Sequence, residues 1–86
     1  MINLKDNPNE WAQLGYELEE AREHLVSLEK ELMEKNRIDD EDFRIQIFHV
    51  ITHLNRLYNS RNYTGDVSKE IFDEFSKTPI DFQTVG

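Results

Sequence analysis

Apolar residues recur along residues 11–32 at alternating spacings of three and four, which is the heptad pattern of a helix that packs along one side. The positions are Trp11, Leu14, Leu18, Ala21, Leu25, Leu28 and Leu32. Glutamates fill most of the positions between them, so we expect a solvent-exposed outer face. Asn7, Pro8 and Glu10 are typical of a helix start, with an N-cap, a proline in the first turn and a capping-box glutamate. The pattern predicts a first helix over about residues 8–36.

A second helix is predicted over about residues 40–61, after a short break in the pattern at NRIDDEDF. Asn36 suits a helix end, and Asp39 suits the next N-cap, followed by three acids that favour the positive end of the helix dipole. So short a link makes the two helices antiparallel neighbours. The second helix carries two apolar stripes, one of Phe43, Ile47, Val50, Leu54 and Leu57, the other of Phe48, Ile51 and Tyr58. A helix this widely apolar needs a second partner besides the first helix.

A third, shorter helix is predicted over about residues 66–77, with Gly65 in the preceding turn and Asp66 as its N-cap. It supplies the second partner. Residues 1–6 are expected to form a loose N-terminal segment. In the tail, residues 78–86, Ile80 and Phe82 are expected to fold back onto the helices. The sequence therefore predicts one all-α domain over residues 1–86. Its fold is a long antiparallel helical hairpin, coiled-coil-like, with a short third helix packed on helix 2.

Composition narrows the possible functions. The 86 residues contain no cysteine and carry a formal net charge of −8. A thiol nucleophile, a disulfide scaffold and a cysteine-based zinc site are therefore excluded. The acidic balance argues against direct binding to nucleic acid. With no signal-peptide pattern and no membrane-spanning run, we expect a cytoplasmic protein that does not bind membranes. No catalytic motif is present, so we expect neither an enzyme nor a cofactor.

Histidines are the main candidates for site chemistry. If Leu32 faces Phe43 across the hairpin, then His24 falls opposite His53, and His49 lies one turn before His53 on the same edge. Two histidines four residues apart plus one from a facing helix can hold zinc with an open coordination position. HVITH lacks the glutamate of the zinc-protease motif, so no catalytic role is indicated. The alternatives are a pH-sensitive histidine cluster and, as the interpretation we favour, ordinary structural packing.

Residues 43–65 contain no carboxylate, although the facing helix 1 is dense with glutamate. Attraction between the two helices is one explanation, because it favours the antiparallel pairing over alternatives. The rival is a site for an anionic group near the open end of the hairpin, formed by Arg56, Asn59, Arg61 and Asn62. At the other end, an acidic tip comprises Glu29, Glu31, Glu34, Asp39, Asp40, Glu41 and Asp42.

These features favour a small non-enzymatic module that binds or regulates a protein partner. One alternative is an acidic inhibitor, antitoxin-like or immunity-like, that masks a basic nucleic-acid-binding surface through the acidic tip. A second alternative is a metal-responsive or pH-responsive site at the three histidines.

Self-association is also expected. Helix 1, at about 43 Å, is longer than helix 2, at about 33 Å, at 1.5 Å per residue. Trp11 in its first turns therefore lies near or beyond the end of helix 2, and Val26 and Met33 lie off its heptad positions. Apolar residues left uncovered in this way usually mark an interface, and a two-fold homodimer is the commonest solution. In a monomer, the tail or the third helix would cover Trp11 instead.

Overall fold

The computed structural model describes residues 1–80, which contain three α-helices and no strand. They are α1 (Pro8–Lys35), α2 (Asp40–Asn59) and α3 (Lys69–Phe75). α1 packs along α2, and α3 packs on α2. The predicted all-α hairpin with a third helix on helix 2 is therefore confirmed. The expectation that the third helix covers the second apolar stripe is wrong, because Phe48, Ile51 and Tyr58 stay exposed and α3 packs beside Asn55, Arg56 and Asn59. The predicted contact of Phe82 lies outside the described residues, while Ile80 is fully exposed.

Asn36 ends α1 in the left-handed conformation, with φ 55° and ψ 16°. Asparagine tolerates this conformation better than most residues, which explains why the helix ends there. Asp39 then precedes α2 with an extended backbone, and Asp40, Glu41 and Asp42 occupy the first turn. Neither Asn7 nor Asp39 makes a side-chain hydrogen bond to cap its helix. The proline in the first turn of α1 and the acids in the first turn of α2 therefore favour these helix starts without help from a side-chain cap.

The N-terminal segment is not loose, so the prediction for residues 1–6 is wrong. The Ile2 side chain is only 6% exposed, and its backbone N–H donates to the carbonyl oxygen of Arg61 at 2.9 Å. Asp6 N–H donates to Asn3 Oδ1 at 2.9 Å and thereby closes a turn before α1. A buried apolar side chain and a satisfied backbone donor together hold this segment against the end of α2.

α3 begins three residues later than predicted, and Ser68 rather than Asp66 caps it. Ser68 Oγ accepts a hydrogen bond from Ile71 N–H at 3.2 Å, which satisfies one of the free donors of the first turn. The Asp66 carbonyl instead accepts from the Tyr63 hydroxyl at 2.8 Å. Beyond the helix, the Lys77 ammonium donates to Glu74 Oε1 at 2.8 Å. This hydrogen bond and the Glu74 charge hold the pKa of Lys77 above its usual value.

Side chains of α2 hold the C-terminal end of α3. The Asn55 amide donates to the Ser76 carbonyl at 3.0 Å. The Asn59 amide donates to the carbonyls of Phe75 and Lys77 at 2.9 and 2.8 Å. Carbonyls in the last turn of a helix have no partner within the helix, so these asparagines satisfy groups that would otherwise need water.

The contact between α1 and α2 is asymmetric, because only alternate members of the predicted heptad row are buried. Leu14, Ala21 and Leu28 are buried on α1 and Val50 on α2. Leu18, Leu25 and Leu32 remain 55%, 49% and 52% exposed. α1 is therefore rotated so that the row through Leu14, Ala21 and Leu28 faces α2, with polar residues along one side of that row and leucines along the other.

None of the described helices contains a segment long and apolar enough to cross a lipid bilayer.

Candidate functional site

A buried carboxylate lies at the centre of one edge of the hairpin. Glu17 is one of the glutamates between the heptad positions, which were expected on the solvent-exposed face of helix 1, but it is only 3% exposed. That expectation is wrong, because the rotation of α1 turns Glu17 towards α2. Its Oε2 lies 2.6 Å from His53 Nδ1, and its Oε1 lies 3.6 Å from Arg56 Nη1. Burial of a carboxylate is tolerated when such partners replace water.

Arg56 joins this buried carboxylate to α3. Its Nε donates to Ser76 Oγ at 2.9 Å, and its guanidinium carbon lies 4.3 Å from the centre of the Phe72 ring. A cation over an aromatic face is attracted by the negative face of the ring. A cleft of about 720 Å³ opens beside these residues, between the start of α1 and α3. Arg56 therefore contacts all three helices, and its charge is satisfied inside the protein.

The three histidines share this same edge, as the hairpin register predicted. The His24 ring stacks on the His53 ring with centroids 5.3 Å apart, and the His49 ring meets His24 edge-on at 5.0 Å. Candidate ligand atoms of Glu20, His24 and His53 all lie within 4.8 Å of one another. His49 is exposed and lies outside that group, so its predicted role as a metal ligand stays a prediction. We call Glu17, Glu20, His24, His53 and Arg56 the polar edge.

The predicted anion site near the open end has its residues close together, but most of their donors turn inward. Both hydrogen bonds of the Asn59 amide go to carbonyls after α3 or at its end. Arg61 donates to the Tyr58 carbonyl at 2.8 Å, and its guanidinium lies 3.9 Å over the Tyr58 ring. Asn62 is exposed. These residues tie the end of α2 to its neighbours, and binding of an anion there stays a prediction.

The acidic tip is largely solvent-exposed. Glu31 is half-buried and accepts a hydrogen bond from Gln46 Nε2 at 3.3 Å. The other six tip residues are exposed: Glu29, Glu34, Asp39, Asp40, Glu41 and Asp42. Within residues 1–80, the ion pairs are those of Glu17 and of Glu74, so none involves the tip. The tip therefore presents several exposed carboxylates that make no ion pair in this part of the chain.

The opposite edge of the hairpin is apolar. On α1 the exposed row is Trp11, Leu18, Leu25 and Leu32, and on α2 it is Phe43, Ile51 and Leu54. We call these seven residues the apolar face. By helical spacing the two rows lie on the same side of the hairpin, across the contact line from Glu17 and His53. Trp11, a predicted partner-binding residue, lies at one end of this face.

Few charges interrupt the apolar face. Helical spacing places Arg22 and Glu29 of α1, and Asp40 and Arg44 of α2, on this side. Most of the other acids lie elsewhere, on the outer side of α1, in the rest of the tip and in α3. The sequence contained the signal for this face, because Leu18, Leu25 and Leu32 are spaced seven residues apart. The heptad pattern alone did not reveal which of its two rows would face α2.

The chain shows no significant similarity to a protein family, to a curated protein or to a solved structure. The polar edge, the acidic tip and the apolar face are therefore the features on which a functional hypothesis can rest.

Proposed function

We propose that this chain is a non-enzymatic protein-binding module that associates with a second copy of itself through the apolar face. Two hairpins related by a two-fold axis would then form a four-helix bundle. The observation that carries the proposal is the row of Leu18, Leu25 and Leu32, which lies beside the hairpin contact and stays about half exposed. The absence of cysteine suits a reducing compartment, and the proposal therefore places the module in the cytosol.

The size of the apolar face supports a second copy as its occupant. The exposed parts of its seven side chains amount to on the order of 700 Å², close to the ~800 Å² that each partner contributes to a standard interface. The largest apolar patch on a typical monomer is about 300–600 Å². Burial of this area would add to the small core of the described chain, whose buried apolar residues are Ile2, Leu14, Ala21, Leu28 and Val50.

The distribution of charge supports the same occupant. Two copies of a chain with net charge −8 repel each other unless their acids are kept away from the contact. The apolar face meets this condition, because two arginines, Arg22 and Arg44, balance two acids, Glu29 and Asp40, there. Around a two-fold axis, Glu29 of one copy can face a cation of the other, which fixes the orientation of the pair.

The mass in solution tests this proposal. We expect light scattering at micromolar concentration to give twice the 10.3 kDa of the chain, with dissociation on dilution. Leu25→Glu, and the pair Leu18→Glu with Leu25→Glu, should give monomers that keep their helical circular dichroism, because both sites are exposed in the single chain. Tyr16→Glu is the matched control, since Tyr16 is an exposed apolar residue on the opposite side of α1. A wild-type mass that stays at 10.3 kDa would overturn the proposal.

The acidic tip supports a second candidate, in which the module inhibits a basic partner by covering its nucleic-acid-binding surface. Its support is the set of exposed tip carboxylates that have no ion pair within residues 1–80. Capture of partner proteins from the native host, at low and at high salt, tests this candidate. The wild type is compared with a triple variant, Asp39→Asn, Asp40→Asn, Asp42→Asn. A basic protein lost both at high salt and with the variant would fit, because surface attraction is screened by salt. Capture that changes with neither would exclude this role.

A further inference from the structure

We propose that Glu20, His24 and His53 bind a divalent transition-metal ion of the zinc class, and that Glu17 orients His53 for this role. The site lies on the polar edge, across the hairpin from the apolar face. It therefore does not depend on the proposed dimer.

The three side chains converge from two helices. Glu20 and His24 are four residues apart on α1, which places them one above the other on one face. His53 reaches them from α2, and the candidate ligand atoms of all three lie within 4.8 Å of one another. Ligands of a tetrahedral zinc ion sit about 2.0–2.2 Å from the metal and so roughly 3.3–3.5 Å from each other. Glu17 holds His53 in place, and small rotations of the half-buried Glu20 and His24 side chains would close the remaining gap.

Glu17 gives the site the support that a chance surface cluster lacks. Its carboxylate lies 2.6 Å from His53 Nδ1 and is itself buried. When Nδ1–H of a neutral imidazole donates to Glu17, Nε2 is left as the atom that donates its lone pair to a metal. Metal-binding histidines usually make such a bond to a carboxylate through their other nitrogen, which fixes the tautomer and the ring orientation. Arg56 holds Glu17 from the other side and limits its movement.

The ligand types indicate the class of ion. Two imidazoles and one carboxylate suit zinc and its first-row neighbours, whereas calcium and magnesium prefer oxygen ligands alone. Three protein ligands leave a fourth position for water, or for His49, whose ring lies 5.0 Å from that of His24. An ion held there would join α1 to α2, so its binding energy would stabilise the hairpin.

Titration of tag-free protein with Co²⁺ and with Zn²⁺ tests the site. We expect one ion per chain, the visible absorption of four-coordinate cobalt, and a rise in melting temperature with Zn²⁺. His24→Ala should abolish saturable binding, and Glu20→Gln should weaken it. Glu17→Gln keeps the shape of the side chain and should lower the affinity about 10–100-fold, as loss of a carboxylate behind a ligating histidine does elsewhere. Glu23→Gln is the control, because it removes an exposed carboxylate from the same helix.

Two results would overturn the assignment. The first is the absence of saturable Zn²⁺ binding to the wild type at micromolar concentration. The second is binding that survives unchanged in both His24→Ala and His53→Ala, which would locate the ion elsewhere. An unchanged affinity in Glu17→Gln would refute the orienting role of Glu17. Circular dichroism of each variant separates loss of binding from loss of fold.

Discussion

Glu17 lies where a helix that packs on a neighbour would ordinarily carry an apolar residue. Its carboxylate is satisfied by His53 at 2.6 Å and approached by Arg56 at 3.6 Å. Removal of one member of such a group leaves the others buried without their partner, which is the expensive part of the change.

We therefore expect Glu17→Ala to lower the free energy of unfolding by roughly 2–3 kcal/mol, measured by urea denaturation. Glu19→Ala removes an exposed glutamate two residues away and should change it by less than about 0.5 kcal/mol. Equal stability of the two variants would contradict the structural role of Glu17.

Two glycines should respond in opposite directions to the same substitution. Gly15 lies inside α1, and a Cβ built there meets no atom within 4 Å. Gly15→Ala should therefore raise the free energy of unfolding by ~1 kcal/mol through helix propensity. Gly65 has φ +113°, which strains any residue with a side chain, so Gly65→Ala should lower it by ~1 kcal/mol or more. Thermal melts of the two variants, measured in parallel, show whether each substitution raises or lowers stability. A shift of the same sign in both would contradict this account.

At the scale of single residues, the sequence predicted that the three histidines lie on one edge of the hairpin. It could do so because the turn determines which residues of the two helices face each other. It did not predict the burial of Glu17. A glutamate three residues after Leu14 and four before Ala21 lies on their face of the helix, but most glutamates at such positions point to solvent. The signal was on the other helix, where His53 and Arg56 occupy the facing positions.

At the scale of whole elements, the three helices were predictable, since period, caps and turns all agree there. The rotation of α1 was not. Both rows of its heptad pattern are apolar, and either could have faced α2. The structure buries the row of Leu14, Ala21 and Leu28, and on the flank of that row Glu17 meets His53 and Arg56 of α2. The start of α3 was misplaced because Asp66 and Ser68 are both good N-cap residues, and only the backbone before Lys69 distinguishes them.

α3 is too short to be stable alone, so we expect its attachment to depend on a few hydrogen bonds from α2. Asn59 donates two of them. Asn59→Ala should therefore lower the free energy of unfolding by about 1–3 kcal/mol, since each hydrogen bond contributes ~1 kcal/mol. Asn62→Ala, at an exposed position three residues on, should be nearly neutral. Chemical denaturation of both variants tests this, and equal effects would show that the Asn59 bonds do not hold α3.

At the scale of the whole molecule, the apolar face and the polar edge lie on opposite sides of the hairpin. The proposed association and the proposed metal binding would use different residues, so we expect them to be independent. Leu25→Glu should give a monomer with unchanged Zn²⁺ affinity, and His24→Ala should give an unchanged mass with no bound metal. Calorimetry and light scattering on both variants measure the two properties. A mass of His24→Ala that falls to 10.3 kDa would show that the edges are coupled.

The position of Arg56 between Glu17 and α3 also bears on how the chain opens. Few buried contacts hold α3, so its backbone amides should exchange with deuterium sooner than those around Val50, through a partial opening that leaves the hairpin intact. In that open form Arg56 loses Ser76 and Phe72 but keeps Glu17. Its guanidinium would then lie open to the widened cleft, with Glu17 as its remaining partner. Transient release of a short helix would thus expose to solvent a positive charge that the resting form keeps between Glu17, Ser76 and Phe72.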